Sequence, residues 1–132
     1  EGNSVRVRID GESMHPFIVG GKDEVLLIPY NKKTPIKLWS CIFYKWKGHY
    51  MIHRFVGFQD SQYCMMGDGN LVQIERIEES DILGILQTIY HADGSIQDCL
   101  GKKWLYQGRF WFKFRKLRRF LLPIYRRFVL ND

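Results

Sequence analysis

The sequence predicts a mainly β domain that ends in a basic amphipathic helix. Residues 1–100 contain about six or seven short runs of alternating or β-branched residues, and turn residues separate these runs. From residue 102 onward the apolar residues instead recur at steps of three and four, which is the period of a helix. We therefore expect a coiled antiparallel sheet or barrel over residues 1–100 and a helical tail over residues 101–132.

The predicted strands are short segments bounded by Gly, Pro, Asn and Asp: residues 5–9, 25–28, 42–46, 50–56, 62–66 and 81–90. The polar tripeptide Lys47-Gly48-His49 separates two of them and is typical of a hairpin turn. Gly84 lies in the middle of the last segment and favours a strand over a helix there.

Length and composition indicate a single globular domain. The chain has 132 residues, which suffice for one hydrophobic core and are too few for two ordinary domains. Its 15% aromatic content argues against disorder, and no apolar run reaches the length of a membrane-spanning helix. Cys41, Cys64 and Cys99 form no CxxC pair, so we expect buried thiols and neither a metal site nor a cofactor.

The net charge of +6 is unevenly distributed. Residues 1–101 contain ten Lys or Arg and thirteen Asp or Glu, a balance of −3, whereas residues 102–132 contain ten Lys or Arg and one Asp, a balance of +9. This asymmetry suggests that the body and the tail have different roles.

The segment with the strongest signal for a reactive site is Gly11-Glu12-Ser13-Met14-His15-Pro16, which follows the first predicted strand. A Ser hydroxyl needs a neighbouring base to act as a nucleophile. Of the four histidines, His53 alone lies inside a predicted strand, where packing can hold one orientation. Asp68 follows the next strand and is the predicted carboxylate partner of His53, because antiparallel neighbours lie side by side.

These segments resemble, in order, the motifs of the signal-peptidase and LexA-type serine peptidase superfamily. Residues 11–16 resemble its Gly-x-Ser-Met-x-Pro box, and residues 20–27 resemble the Gly-Asp-x-Val segment. Residues 51–57 are similar to the Val-His-Arg-Val box of the endoplasmic-reticulum and archaeal type, and residues 67–70 to its Gly-Asp-Asn-Asn box. Ile82-Leu83-Gly84 is similar to its closing Ile-x-Gly strand. The likeness covers about residues 5–90 and excludes the tail.

The resemblance implies a coiled β peptidase fold and a serine endopeptidase that uses Ser13 as nucleophile, His53 as general base and Asp68 as its support. The backbone N–H groups of Ser13 and Met14 would bind the oxyanion, and the substrate would be a polypeptide. An enzyme of this kind works at a membrane, so we expect a peripheral membrane location, with the cytoplasm as the alternative.

The chain departs from the family pattern in three places. Gly11 stands where many relatives have a Ser that helps to bind the oxyanion. Trp39-Ser40 replaces the Gly-Asp that usually precedes the third strand. The second Asp after the Gly-Asp-Asn-Asn box is missing, and Gln73, Ile74 and Glu75 stand there, of which Glu75 could replace it.

Two other functions remain open. One is a non-catalytic domain that keeps the fold and binds a partner peptide. The other is a self-cleaving or nucleic-acid-binding regulator of the LexA type, against which the absence of a Lys base and of a helix-turn-helix pattern argues.

The tail has three interpretations. Its helix, which we expect to be interrupted near Pro123, could simply pack on the β body. Its basic residues could instead meet an anionic membrane surface, through Arg109, Lys113, Lys116 and Arg119. Nucleic acid is the third partner considered, and it ranks last because the tail carries no base-reading motif.

Overall fold

The computed structural model describes residues 3–70 and 72–127. In this part of the chain the strands are β1 Val5–Arg8, β2 Glu24–Pro29, β3 Cys41–Trp46, β4 His49–Gln59, β5 Gln62–Met66, β6 Glu75–Ile77, β7 Ile82–Tyr90 and β8 Ile96–Asp98. Two α-helices follow, α1 Lys102–Lys113 and α2 Arg118–Tyr125. Short 3-10 turns span Glu79–Asp81 and Arg115–Leu117.

The eight strands form one antiparallel sheet that curls into a half-barrel. Its order is β1-β2-β7-β3-β4-β5-β6, and β8 pairs with β7. Strand β7 lies between β2 and β3 and thereby joins the two halves of the sheet. The predicted mainly β class with a helical C-terminal segment is confirmed.

The turn between β3 and β4 shows why the hairpin prediction succeeded. Lys47 and Gly48 both have positive φ angles, of 48° and 81°. Two consecutive left-handed residues match the twist of a two-residue hairpin, and glycine adopts that conformation without strain. Strands β6 and β8 were not predicted, because each has three residues and is too short to show a hydrophobic period.

The hydrophobic core consists of two clusters. One joins β2 and β7 to the Ser13 segment and to α1, and includes Met14, Val25, Leu86 and Trp104. The other lies on β3, β4, β5 and β7 and includes Tyr44. Because Trp104 is completely buried in the first cluster, α1 belongs to the same core as the sheet. The three cysteines are free and buried, as predicted.

The described part of the tail is mainly helical, but its interruption lies elsewhere than predicted, and the predicted helix over residues 128–132 lies outside the described residues. The first helix ends at Phe114, whose φ and ψ of −102° and 29° leave the helical region. Pro123 lies inside α2 instead of at a break. None of the helices in the described residues is long and apolar enough to cross a membrane.

Candidate active site

The segment that carries Ser13 is a compact turn between β1 and β2. Met14 and Ile18 are buried and anchor it, whereas Ser13 is half-buried. Gly20 packs directly against the backbone of Gly11, and an added Cβ on Gly20 would collide with the Gly11 carbonyl oxygen. This close approach accounts for the glycine at position 20, and it holds the end of the Ser13 turn against its beginning.

A second turn, residues 67–70, packs underneath the Ser13 turn. The Gly69 N–H donates a 2.7 Å hydrogen bond to the Ser13 carbonyl oxygen. An added Cβ on Gly69 would collide with the Glu12 carbonyl oxygen and would lie 3.3 Å from the His15 nitrogen. The glycines of this turn therefore permit a backbone contact that larger residues would prevent.

His53 lies on β4, opposite Ile42 of β3, and is 1% exposed. Its Nδ1 atom is 2.7 Å from Oε1 of Glu75 and 2.8 Å from the hydroxyl oxygen of Tyr44. The Tyr44 hydroxyl donates a 2.7 Å bond to the same Glu75 oxygen, so Nδ1 also donates to that carboxylate. A proton on Nδ1 leaves Nε2 as the basic nitrogen.

The Glu75 carboxylate is suited to remain ionised. Burial raises its pKa, but hydrogen bonds from His53, Tyr44 and Gln73 and the charge of His53 outweigh burial and lower the pKa below its ordinary value. Burial and the neighbouring Glu75 carboxylate raise the pKa of Tyr44, which keeps this hydroxyl protonated. The pair therefore presents a fixed acceptor to the imidazole.

Asp68 does not occupy the predicted position beside His53. Its two oxygens accept bonds of 2.9 Å and 2.6 Å from Nε and Nη2 of Arg54, and both side chains are buried. The strand register explains the difference. Met66 is the register partner of Arg54, and adjacent residues on a strand face opposite sides, so Asp68 falls on the Arg54 face and not on the His53 face. Glu75, and not Asp68, is the carboxylate that contacts His53.

Ser13 and His53 both lie close to the α-carbon of Gly67. An added Cβ on Gly67 would collide with the Ser13 carbonyl oxygen and would lie 3.1 Å from Cδ2 of His53, the carbon bonded to Nε2. Among the described residues, neither Nε2 nor the Ser13 hydroxyl has a hydrogen-bond partner. The Ser13 hydroxyl and Nε2 of His53 therefore do not hydrogen-bond to each other in this structure, although both residues lie close to Gly67.

Ser13 and His53 also line the same cavity, which has a volume of about 650 Å³. Its walls are mainly apolar and come from β1, β2, β3, β4 and β7, with Val5, Val7, Leu27, Phe43, Met51 and Ile52 among them. A cleft of this size and character can hold several apolar side chains of a ligand.

The predicted oxyanion donors are the amides of Ser13 and Met14. Neither amide donates a hydrogen bond to another group in the described part of the chain. Gly11, with a φ of +89°, offers no side-chain donor beside these amides.

Two side chains of the tail, Trp111 and Arg118, donate hydrogen bonds to the backbone of the 67–70 turn. The Trp111 Nε1–H donates a 2.7 Å bond to the Asp68 carbonyl oxygen. The buried guanidinium of Arg118 donates bonds of 3.2 Å and 2.8 Å to the carbonyl oxygens of Gly67 and Asn70. The four predicted membrane-facing residues, in contrast, are all exposed: Arg109, Lys113, Lys116 and Arg119.

Tyr44 was not predicted as a partner of His53, and Glu75 was predicted only as a possible replacement for the missing second Asp. Tyr44 shares its strand face with Ile42, the register partner of His53, so period-two reasoning could have found it. Comparison with protein-family models and with curated proteins returns no match for this chain.

Proposed function

We propose that this chain is a serine endopeptidase in which Ser13 is the nucleophile and His53 its general base. One observation carries the proposal: Ser13 and His53 both lie close to Gly67 and line the same apolar cleft. A buried imidazole with one nitrogen fixed by a carboxylate and the other free is the arrangement that general-base catalysis requires.

In the proposed reaction, the Ser13 oxygen attacks the carbonyl carbon of the scissile peptide bond while Nε2 of His53 takes the hydroxyl proton. Glu75 stabilises the imidazolium that forms. The amides of Ser13 and Met14 bind the oxyanion of the tetrahedral intermediate. His53 then protonates the leaving amine, and water hydrolyses the resulting acyl-enzyme by the reverse sequence of proton transfers.

The substrate of this reaction is an extended polypeptide. Strand β1 pairs with β2 on one side and is an edge of the described sheet, so a peptide can add to its other side by backbone hydrogen bonds. The apolar lining of the cleft favours uncharged side chains next to the cleaved bond.

An active-site label tests the proposal. A fluorophosphonate should label the intact chain at Ser13, and the variants Ser13→Ala and His53→Ala should each lose labelling by at least about 100-fold because the two residues act as a unit. The matched control is Ser80→Ala, which changes an exposed serine in the Glu79–Asp81 turn, outside the cleft.

Thermal unfolding of each variant shows whether it is folded. A folded wild-type chain that does not react with the label contradicts the proposal. If the same chain binds extended peptides without cleaving them, the non-catalytic alternative takes its place.

A further inference from the structure

The helices of the tail expose large apolar side chains on the side that faces away from the sheet. In α1, Tyr106, Phe110 and Phe114 follow one another at four-residue steps, and 64%, 65% and 42% of their surface is exposed. The rings of Phe110 and Phe114 are 4.6 Å apart. The tail exposes four more apolar residues after α1: Leu117, Phe120, Leu121 and Ile124.

Cations are interspersed among these apolar residues. Within residues 102–124, the exposed Lys and Arg side chains for which the structure shows no ion pair are Lys102, Lys103, Arg109, Lys113, Lys116 and Arg119. In α1, Tyr106, Arg109 and Lys113 lie at steps of three and four and therefore share one side of the helix. Trp104 and Gly108 lie on the opposite side and are buried.

We propose that this exposed face of the tail, residues 102–124, docks on the surface of an anionic lipid bilayer. Interfacial helices combine Lys and Arg, which meet anionic headgroups, with aromatic residues that enter the boundary of the acyl region. The proposal does not depend on the peptidase activity proposed above.

Charge and shape favour a bilayer over two other partners. A second copy of the chain would bring the positive charge of its own tail, +9 over residues 102–132, against the same face. Nucleic acid would satisfy the cations and stack on the aromatic rings, but it gives no apolar environment to the exposed aliphatic side chains of Leu117, Leu121 and Ile124.

Docking would also bring the Ser13 turn to the membrane. Phe17, four residues after Ser13, packs edge-to-face on the rings of Trp104 and Trp111. A groove of about 360 Å³ runs between Phe17 and the exposed residues Tyr106 and Phe110. The docking face thus begins beside the turn that carries the proposed nucleophile.

The test uses the full chain and sedimentation with vesicles of phosphatidylcholine, with and without phosphatidylserine. Wild type should bind the anionic vesicles, and added salt should weaken the binding without abolishing it. The variant Arg109→Gln/Lys113→Gln/Lys116→Gln/Arg119→Gln should lose about 100-fold or more in partitioning at low salt. The control Lys22→Gln/Lys32→Gln/Lys33→Gln/Lys37→Gln removes as many exposed lysines from the β body and should lose less than about three-fold.

A second variant tests the apolar contribution. Phe110→Ser/Phe114→Ser should remove the salt-resistant part of the binding. Equal binding of wild type to neutral and anionic vesicles, or equal loss in the tail variant and its control, overturns the proposal. Binding to single-stranded DNA with no binding to vesicles also overturns it. Fluorophosphonate labelling without vesicles should be the same in the tail variant and wild type, so failure of docking is distinguishable from failure of the peptidase proposal.

Discussion

The Nδ1 atom of His53 lies 2.7 Å from Oε1 of Glu75, and the side chains of both residues are buried. Strand β4 supplies the imidazole and strand β6 supplies the carboxylate, and β5 separates these strands in the sheet. Because one strand intervenes in the pairing order, the contact depends on the curl of the sheet and not on local sequence.

The first prediction concerns Glu75→Gln. A glutamine can donate its amide N–H to Nδ1, which would place the imidazole proton on Nε2 and remove the base. We expect fluorophosphonate labelling of Ser13 to fall on the order of 1,000-fold while the far-ultraviolet circular dichroism stays native. Labelling at the wild-type rate would show that Glu75 does not orient the base.

The second prediction concerns Tyr44→Phe. This variant keeps the ring in the core and removes the hydroxyl that donates a hydrogen bond to Glu75. The bond between Nδ1 of His53 and Glu75 stays. The labelling rate should fall by about five-fold, since one hydrogen bond contributes about 1 kcal/mol. A loss as large as that of Glu75→Gln would mean that Tyr44 holds the imidazole more directly than we infer.

The third prediction separates Asp68 from the site chemistry. Asp68→Asn leaves the guanidinium of Arg54 buried without its counter-charge, and breaking a buried pair costs about 3–5 kcal/mol. Urea denaturation should detect this loss. The exposed pair Arg6–Glu24 is the control, because Arg6→Gln should change stability far less. Equal midpoints for Asp68→Asn and wild type would contradict the assignment.

The fourth prediction uses two glycines. Gly67→Ala places a Cβ against the Ser13 carbonyl oxygen and 3.1 Å from His53 Cδ2, so the backbone of the Ser13 turn must shift. We expect labelling of Ser13 to be lost. Gly57→Ala is the matched control, since nothing lies within 4 Å of its added Cβ. If both variants label alike, Gly67 does not set the distance between Ser13 and His53.

The fifth prediction concerns pH. Burial and the charge of Arg126 lower the pKa of His15 below its ordinary value of 6.5. The folded chain then binds this proton less readily than the unfolded chain does, so the contribution of His15 to stability is present above pH 6.5 and is lost as the pH falls through the lower, folded pKa.

Thermal unfolding between about pH 7 and pH 5 measures this contribution. The variant His15→Gln should lose less stability on acidification than wild type does. His49→Gln, at an exposed position, should follow the wild-type curve. The same slope in all three proteins would exclude His15 as the source.

Local patterns predicted most of the fold. Alternation, β-branched runs and turn residues identified the segments of β1 to β5 and β7, because Gly, Pro, Asn or Asp lie near their ends. The hairpin at Lys47 and Gly48 followed from residues that tolerate positive φ. The three-residue strands β6 and β8 were missed, since they form only where the curled sheet supplies a partner.

The site was harder to predict because it depends on register. Ser13 and His53 were predicted from motif and strand context, and both line the cleft. Choosing between Asp68 and Glu75 required knowing which strand face each carboxylate would meet. The strand face that each carboxylate meets depends on the pairing of Arg54 with Met66 and on the curl that brings β6 near His53. The spacing of residues along the sequence predicts neither of these.

The bonds from Trp111 and Arg118 to residues 67–70 have a consequence for the order in which the protein is made. Arg118 donates to the carbonyl oxygen of Asn70, which lies 48 positions earlier in the chain. In the same way, the Tyr125 hydroxyl donates to the carbonyl oxygen of Pro16, which lies 109 positions earlier. A ribosome therefore completes the Ser13 turn and the glycine turn long before it adds the side chains that brace them. The newly made β body lacks this support until α1 and α2 have emerged, and the proposed nucleophile acquires its final surroundings only at that late stage of synthesis.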